Sequence, residues 1–129
     1  MAGNVVQKVK FKARPDELYQ IYMDPEKHAA AVGAKVILEP KVGGKFSAFG
    51  MIRGHFLLLE EGERIVQTWR AGNWEKKDQD SILILTFSGV RGGGEIHLVH
   101  AYVPDYDRQG VQEGWHQYYW LPWKKYLAK

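Results

Sequence analysis

From Val5 to Lys12 apolar and polar positions alternate, which reads as a half-buried strand because side chains two apart share one face of a pleated backbone. Arg14-Pro15-Asp16-Glu17 breaks that rhythm. An early proline and acids in the first turn start a helix, with Leu18, Ile21 and Tyr22 as its short apolar face. Asp24-Pro25-Glu26 repeats the signal ahead of the Ala-rich piece His28 to Val32, and Gly33 ends it. From there strands are predicted. Val36 to Leu38 stops before Pro40, Gly43-Gly44 turns the chain, and Lys45 to Phe49 continues. Arg53 to Glu60 and Arg64 to Ala71 flank the short loop Glu61-Gly62-Glu63. Ser81 to Val90 and Glu95 to Val103 flank a second hairpin loop, Arg91-Gly92-Gly93-Gly94, and polar Asn73 to Asp80 is a loop. The order is strand, two short helices, six strands and one helix: an α+β domain with its helices segregated from an antiparallel sheet.

The final helix, from near Arg108 to near Leu127, carries the strongest periodicity. At about 100° per residue from Trp115, the residues Val111, Tyr118, Tyr119, Pro122 and Tyr126 lie within roughly 60°. His116, Trp120, Trp123 and Leu127 widen the apolar arc to about 200°, twice what an ordinary amphipathic helix needs. Such a helix touches protein on more than one side or lines a space. Pro122 lacks an N–H and crowds the carbonyl of Tyr118, so a bend is expected near it.

Composition narrows the setting. A chain of 129 residues suits one domain, 1–129, and 45% hydrophobic with 26% charged residues is globular rather than disordered. No run approaches the roughly 18 apolar residues of a membrane span. Met1 to Lys12 carries charges at Lys8, Lys10 and Lys12 and no signal core, so a cytoplasmic chain is expected. The absence of cysteine excludes disulfides and thiol chemistry. A net charge of +3 is too small to argue for nucleic acid, and Lys8, Lys10, Lys12 and Arg14 alternate with apolar residues as a wet strand face does.

Four segments in register carry a resemblance that runs from about Val5 to Leu127: Asp24-Pro25-Glu26, Pro40-Lys41-Val42-Gly43-Gly44-Lys45-Phe46, Glu63 through Arg70, and Gly114-Trp115 through Tyr126-Leu127. The chain resembles the homologues of the activator of the ninety-kilodalton heat-shock chaperone's ATPase, a branch of the START-like (SRPBCC) superfamily. The resemblance implies a helix-grip fold, a curved antiparallel sheet of about seven strands wrapped on the long C-terminal helix. It implies no reaction: related domains bind sterols, lipids, hormones or polyketides, and a few are enzymes. The eukaryotic activator has a separate N-terminal domain that supplies much of its chaperone binding. The first expectation is therefore a non-catalytic module for a hydrophobic or aromatic small molecule. A chaperone cofactor is the alternative, with a heat-shock chaperone as partner.

No catalytic constellation stands out. Ser47, Ser81 and Ser88 lack a nucleophile elbow, and the paired glycines sit in hairpin turns and open no phosphate-binding helix. His97 and His100 fall on opposite strand faces and cannot share a metal, so neither metal nor cofactor is expected. The resemblance turns Phe46, Leu57, Trp69, Leu85, Phe87, Leu98 and His100 inward, towards Trp115, Tyr118 and Tyr119, as a ligand cavity. His100 is either a polar anchor for the ligand or a buried histidine bonded to its own fold. His28 and His116 are read as surface or rim residues. With Leu57, Leu83 and Leu85 inward, strict alternation turns Phe56, Leu58, Ile82 and Ile84 outward. That apolar outer face suggests a partner contact or a weak homodimer, unless the short helices and loops cover it.

Overall fold

The computed structural model describes residues 2–129. Strand β1 (Ala2–Phe11) is followed by helices α1 (Pro15–Met23) and α2 (Pro25–Val32). Strands β2 (Val36–Leu38), β3 (Lys45–Ala48), β4 (Ile52–Glu60), β5 (Arg64–Ala71), β6 (Ser81–Val90) and β7 (Gly93–Pro104) complete one antiparallel sheet in the order β1-β7-β6-β5-β4-β3-β2. A 3₁₀ turn, Asp105–Asp107, leads into the C-terminal helical segment: α3 (Arg108–Gly114), a π-helical stretch (Trp115–Trp120) and α4 (Leu121–Leu127). This is the helix-grip architecture.

The local causes are those in the sequence. Pro15 stands in the first turn of α1, where its missing N–H costs nothing, with Asp16 and Glu17 beside it. Asp24 caps α2 by accepting from the Glu26 and Lys27 amides at 2.9 and 3.1 Å. Gly33 ends α2 in the left-handed region at φ 68°. The register puts Val5, His100, Leu83, Gln67 and Phe56 side by side across five strands on the concave face. All five are buried.

Strand β4 departs from strict alternation. Its pairing with β5 shifts between Phe56 and Leu58, leaving Leu57 as the extra residue of a β-bulge. Phe56 therefore points inward and is fully buried, while Leu57 and Leu58 both face out at 42% exposure. The expectations of Leu57 inward and Phe56 outward are both overturned. The cause lies across the sheet: Phe56 gives its N–H to the Gly44 carbonyl and its carbonyl accepts from Gly43, at 3.0 and 2.7 Å. Gly44 has no alternative, since a Cβ there would lie 2.2 Å from the Glu39 carbonyl oxygen.

On the convex face the same registers align Val6, Val99, Ile84, Val66 and Leu58 in one cross-strand row. Val6 and Leu58 are exposed and the middle three half-buried, as is Ile82 in the neighbouring row. The short helices lie elsewhere, α1 against β6 and β7 through buried Leu18, Tyr19 and Tyr22.

The C-terminal segment is more unusual than a bent α-helix. The Leu121 amide donates to the His116 carbonyl, five residues back, immediately before Pro122, which has no amide to give. Widening the turn keeps the backbone paired where an α-helix would collide with the proline ring. A π turn of roughly 4.4 residues, about 82° per residue, also re-aims the aromatics. Tyr118 swings away from Trp115 and is 54% exposed, whereas Trp120 swings towards it and is 1% exposed. The breadth of the apolar arc thus reflects a changed helical period.

Candidate functional site

Between the β3–β4 turn, the start of β4, the end of β5 and the C-terminal segment lies a cavity of about 370 Å³. Its walls are mainly rings: Phe49, Trp69, Trp115, Tyr118 and Tyr119. Met51, Ile52, Ala71 and Val111 supply aliphatic surface, Gly110 and Gly114 keep the helix side open, and Asn73 and Asp107 are the polar side chains at its edge.

Of the residues predicted to line it, Trp69, Trp115, Tyr118 and Tyr119 do, Tyr118 from the exposed rim. Phe46, Leu85, Phe87, Leu98 and His100 are buried in the core and not in the cavity wall. Phe46 packs against Tyr22, His28 and Phe56, and Phe87 against Tyr19 of α1. Leu57 is on the opposite surface.

His100 stands directly behind the wall, in a hydrogen-bonded chain whose directions are all determined. The Trp115 indole can only donate, and it donates to His100 Nδ1 at 3.1 Å. The remaining proton of the neutral imidazole is then on Nε2, which donates to Ser81 Oγ at 2.7 Å. Ser81 in turn donates to the Trp69 carbonyl at 2.6 Å. Burial pushes His100 down to about 3. Its protonation would set a new N–H against the indole N–H. His100 is a satisfied core histidine that orients two rings of the cavity.

His28, expected at the surface, is fully buried. The His28 imidazole donates from Nδ1 to the Tyr22 carbonyl at 2.8 Å, so Nε2 accepts from the Tyr119 hydroxyl at 2.9 Å. Burial lowers His28 to about 4 and raises the Tyr119 phenol. The Tyr22 hydroxyl donates to Gln67 Oε1 at 2.5 Å. The polar tips of Tyr22, Tyr119 and Trp115 are therefore consumed inside the fold, and the cavity wall is mainly apolar. His116 is exposed, as expected.

Two features of the wall were not legible from pattern. Phe49 holds φ 57° beside Gly50 at φ 68°, the two central residues of the turn that the Met51 N–H closes on the Ala48 carbonyl in the three-residue link from β3 to β4, where Asn, Asp or Gly is usual in the first place. A phenylalanine there is strained, and the strain sets its ring against Tyr118 and Tyr119, at 5.9 and 6.0 Å between centroids. Asp107 precedes α3 but caps no amide. Instead its Oδ2 accepts from the Trp74 indole at 2.7 Å. All five tryptophans form one row, Trp74–Trp69–Trp115–Trp120–Trp123, with successive centroids 5.5, 6.4, 5.6 and 5.6 Å apart. The Nε1 atoms of Trp69 and Trp123 are buried without a partner.

A family model described as Activator of Hsp90 ATPase homolog 1-like protein matches residues 12–128. The chain belongs to this family. Within reach of it are an uncharacterized protein of Schizosaccharomyces pombe, 33% identical over 95% of this chain and 36% of its own length. Another is the activator of 90 kDa heat shock protein ATPase homolog of Dictyostelium discoideum, 29% identical over 84% of this chain and 28% of its own. The chain spans about a third of the length of these relatives. An HSP90 activator from Plasmodium falciparum has the same fold, with a TM-score of 0.88, 24% identity and coverage of 98% of this chain and 96% of that one. CalU16 from Micromonospora echinospora superposes with a TM-score of 0.75 at 22% identity, over 88% and 69% of the two chains. At these identities the structures are evidence of fold. No helix of the described residues is long and apolar enough to cross a membrane, and among them no three potential ligands cluster to hold a metal.

Proposed function

We propose that this family member is a non-catalytic binding domain that holds a hydrophobic or aromatic small molecule between its sheet and its C-terminal helix. The carrying observation is the ring-lined cavity of about 370 Å³. Protein interiors are close-packed, and voids well above the size of a water are few. This volume is within the usual range of small-molecule sites, apolar walls with a few polar points. The strained Phe49 and the π turn at Trp115–Trp120 support the reading, because both keep rings around the space at a conformational cost.

The test is native mass spectrometry of the protein after exposure to a cell extract, with Gly114→Leu as control. Gly114 borders the cavity, and an added Cβ there meets nothing nearer than Tyr118 Cδ2 at 3.7 Å. Leucine at 114 fills the space from an ordinary helical position. A small molecule retained by the native chain and lost from a folded Gly114→Leu is the expected result. Equal retention by both chains sinks the reading.

A second reading, contact with a protein, is supported by the convex row from Val6 to Leu58. The Dictyostelium relative's name makes a 90 kDa heat-shock chaperone the first partner to try. Ile84→Lys, in the middle of that row, should weaken chaperone cross-linking or binding while leaving the fold intact. Sedimentation over a concentration series would reveal instead a weak homodimer through the same face. A strict monomer indifferent to chaperone and to Ile84→Lys ends this reading.

A further inference from the structure

The cavity's charge is as selective as its shape. The protein is basic overall at +3, yet no lysine or arginine borders the cavity. Asp107 is the single ionisable acid that does. One of its oxygens is held by Trp74; Oδ1 has no donor within the described residues. That oxygen lies over Gly110, 2.7 Å from where a Cβ would stand, so the glycine leaves it room. Arg108, next in sequence, is turned to Asp105 at 3.0 Å. Five aromatic rings line the same cavity, and the face of such a ring attracts cations and repels anions. Asp107 also does no capping, the usual reason for an aspartate at a helix start.

From this combination we infer that the cavity takes an organic cation: a protonated or quaternary amine on an aromatic or apolar body, its head on Asp107 and its body among the rings. The inference rests on the small-molecule reading above and specifies its ligand class. Three probes with one indole body separate the alternatives: tryptamine, tryptophol and indole-3-acetate, cationic, neutral and anionic at pH 7. Isothermal titration of the full chain should rank them in that order, with tryptamine about tenfold or more tighter than tryptophol. Asp107→Asn keeps an oxygen for the Trp74 indole and removes the charge. It should abolish the amine's advantage while leaving tryptophol within about twofold. Gly110→Ala, which displaces the free oxygen without changing charge and suits a helix, should do the same.

Equal affinity for all three probes, or indole-3-acetate binding as well as tryptamine, overturns the cation and leaves the small-molecule reading standing. So does an amine preference that survives in folded Asp107→Asn. Failure of all three to bind removes both.

Discussion

Lowering the pH from 7 to 5 should destabilise this protein by an amount fixed by its two buried histidines. His28 and His100 are neutral in the fold, at about 4 and about 3, against an ordinary value of 6.5. Neither faces a carboxylate: His28 meets the Tyr22 carbonyl and the Tyr119 hydroxyl, His100 meets Trp115 and Ser81. Below pH 6.5 the unfolded chain takes up protons that the folded chain refuses, so stability falls with falling pH until the folded values are reached. At pH 5 each histidine contributes a loss of about 2 kcal/mol, together about 4 kcal/mol, a large part of a typical domain's stability. Asp16 and Asp78, held low by hydrogen bonds from Arg14 and Tyr106, act in the same direction but only below about pH 4. Urea unfolding followed by circular dichroism between pH 4.5 and 6 should give a slope near two protons. His100→Gln, which can still accept from Trp115 and donate to Ser81 without titrating, should halve it. A native slope well under one proton, or the same slope in the variant, would refute the reasoning.

Three further outcomes follow from contacts already described. Trp115→Ala should cost about 3 kcal/mol in urea unfolding, the low end for a buried ring, because one side already borders open space, and part of that loss comes from leaving His100 Nδ1 unpaired. Gln67→Leu strands the buried Tyr22 hydroxyl and should cost about 1–3 kcal/mol by the same assay. Phe49→Asn releases left-handed strain of about 1 kcal/mol while removing a ring from the wall, so thermal stability should change little and ligand retention should fall.

Most elements were legible because the local codes agree with the tertiary fold. Pro15 and the Asp24 cap start α1 and α2, Gly33 stops α2, and alternation marks β5, β6 and β7. What misled was one inserted residue in each of two places. The bulge at Leu57 exchanges the faces of Phe56 and Leu57, and its cause, backbone bonding to Gly43 and Gly44, is twelve or more residues away in sequence. The π turn before Pro122 exchanges Tyr118 and Trp120; the proline was visible as a bend, but not as a change of period. His28 was misplaced because an Ala-rich helix has too weak an apolar face to tell its buried side. In the cavity wall, Phe49 broke the rule for its turn and Asp107 imitated a cap.

The row of five indoles has an optical consequence. Each ring is within 6.4 Å of the next, from Trp74 beside Asp107 to Trp123 under the far end of the sheet. At such separations excitation hops between identical chromophores faster than it is emitted. Emission then comes from whichever indole is lowest in energy, and polarisation is lost without any tumbling. A quencher touching the row where Trp69 and Trp115 face the cavity would darken Trp123, which it never reaches, so the chain carries its own light-gathering reporter of whatever enters the mouth.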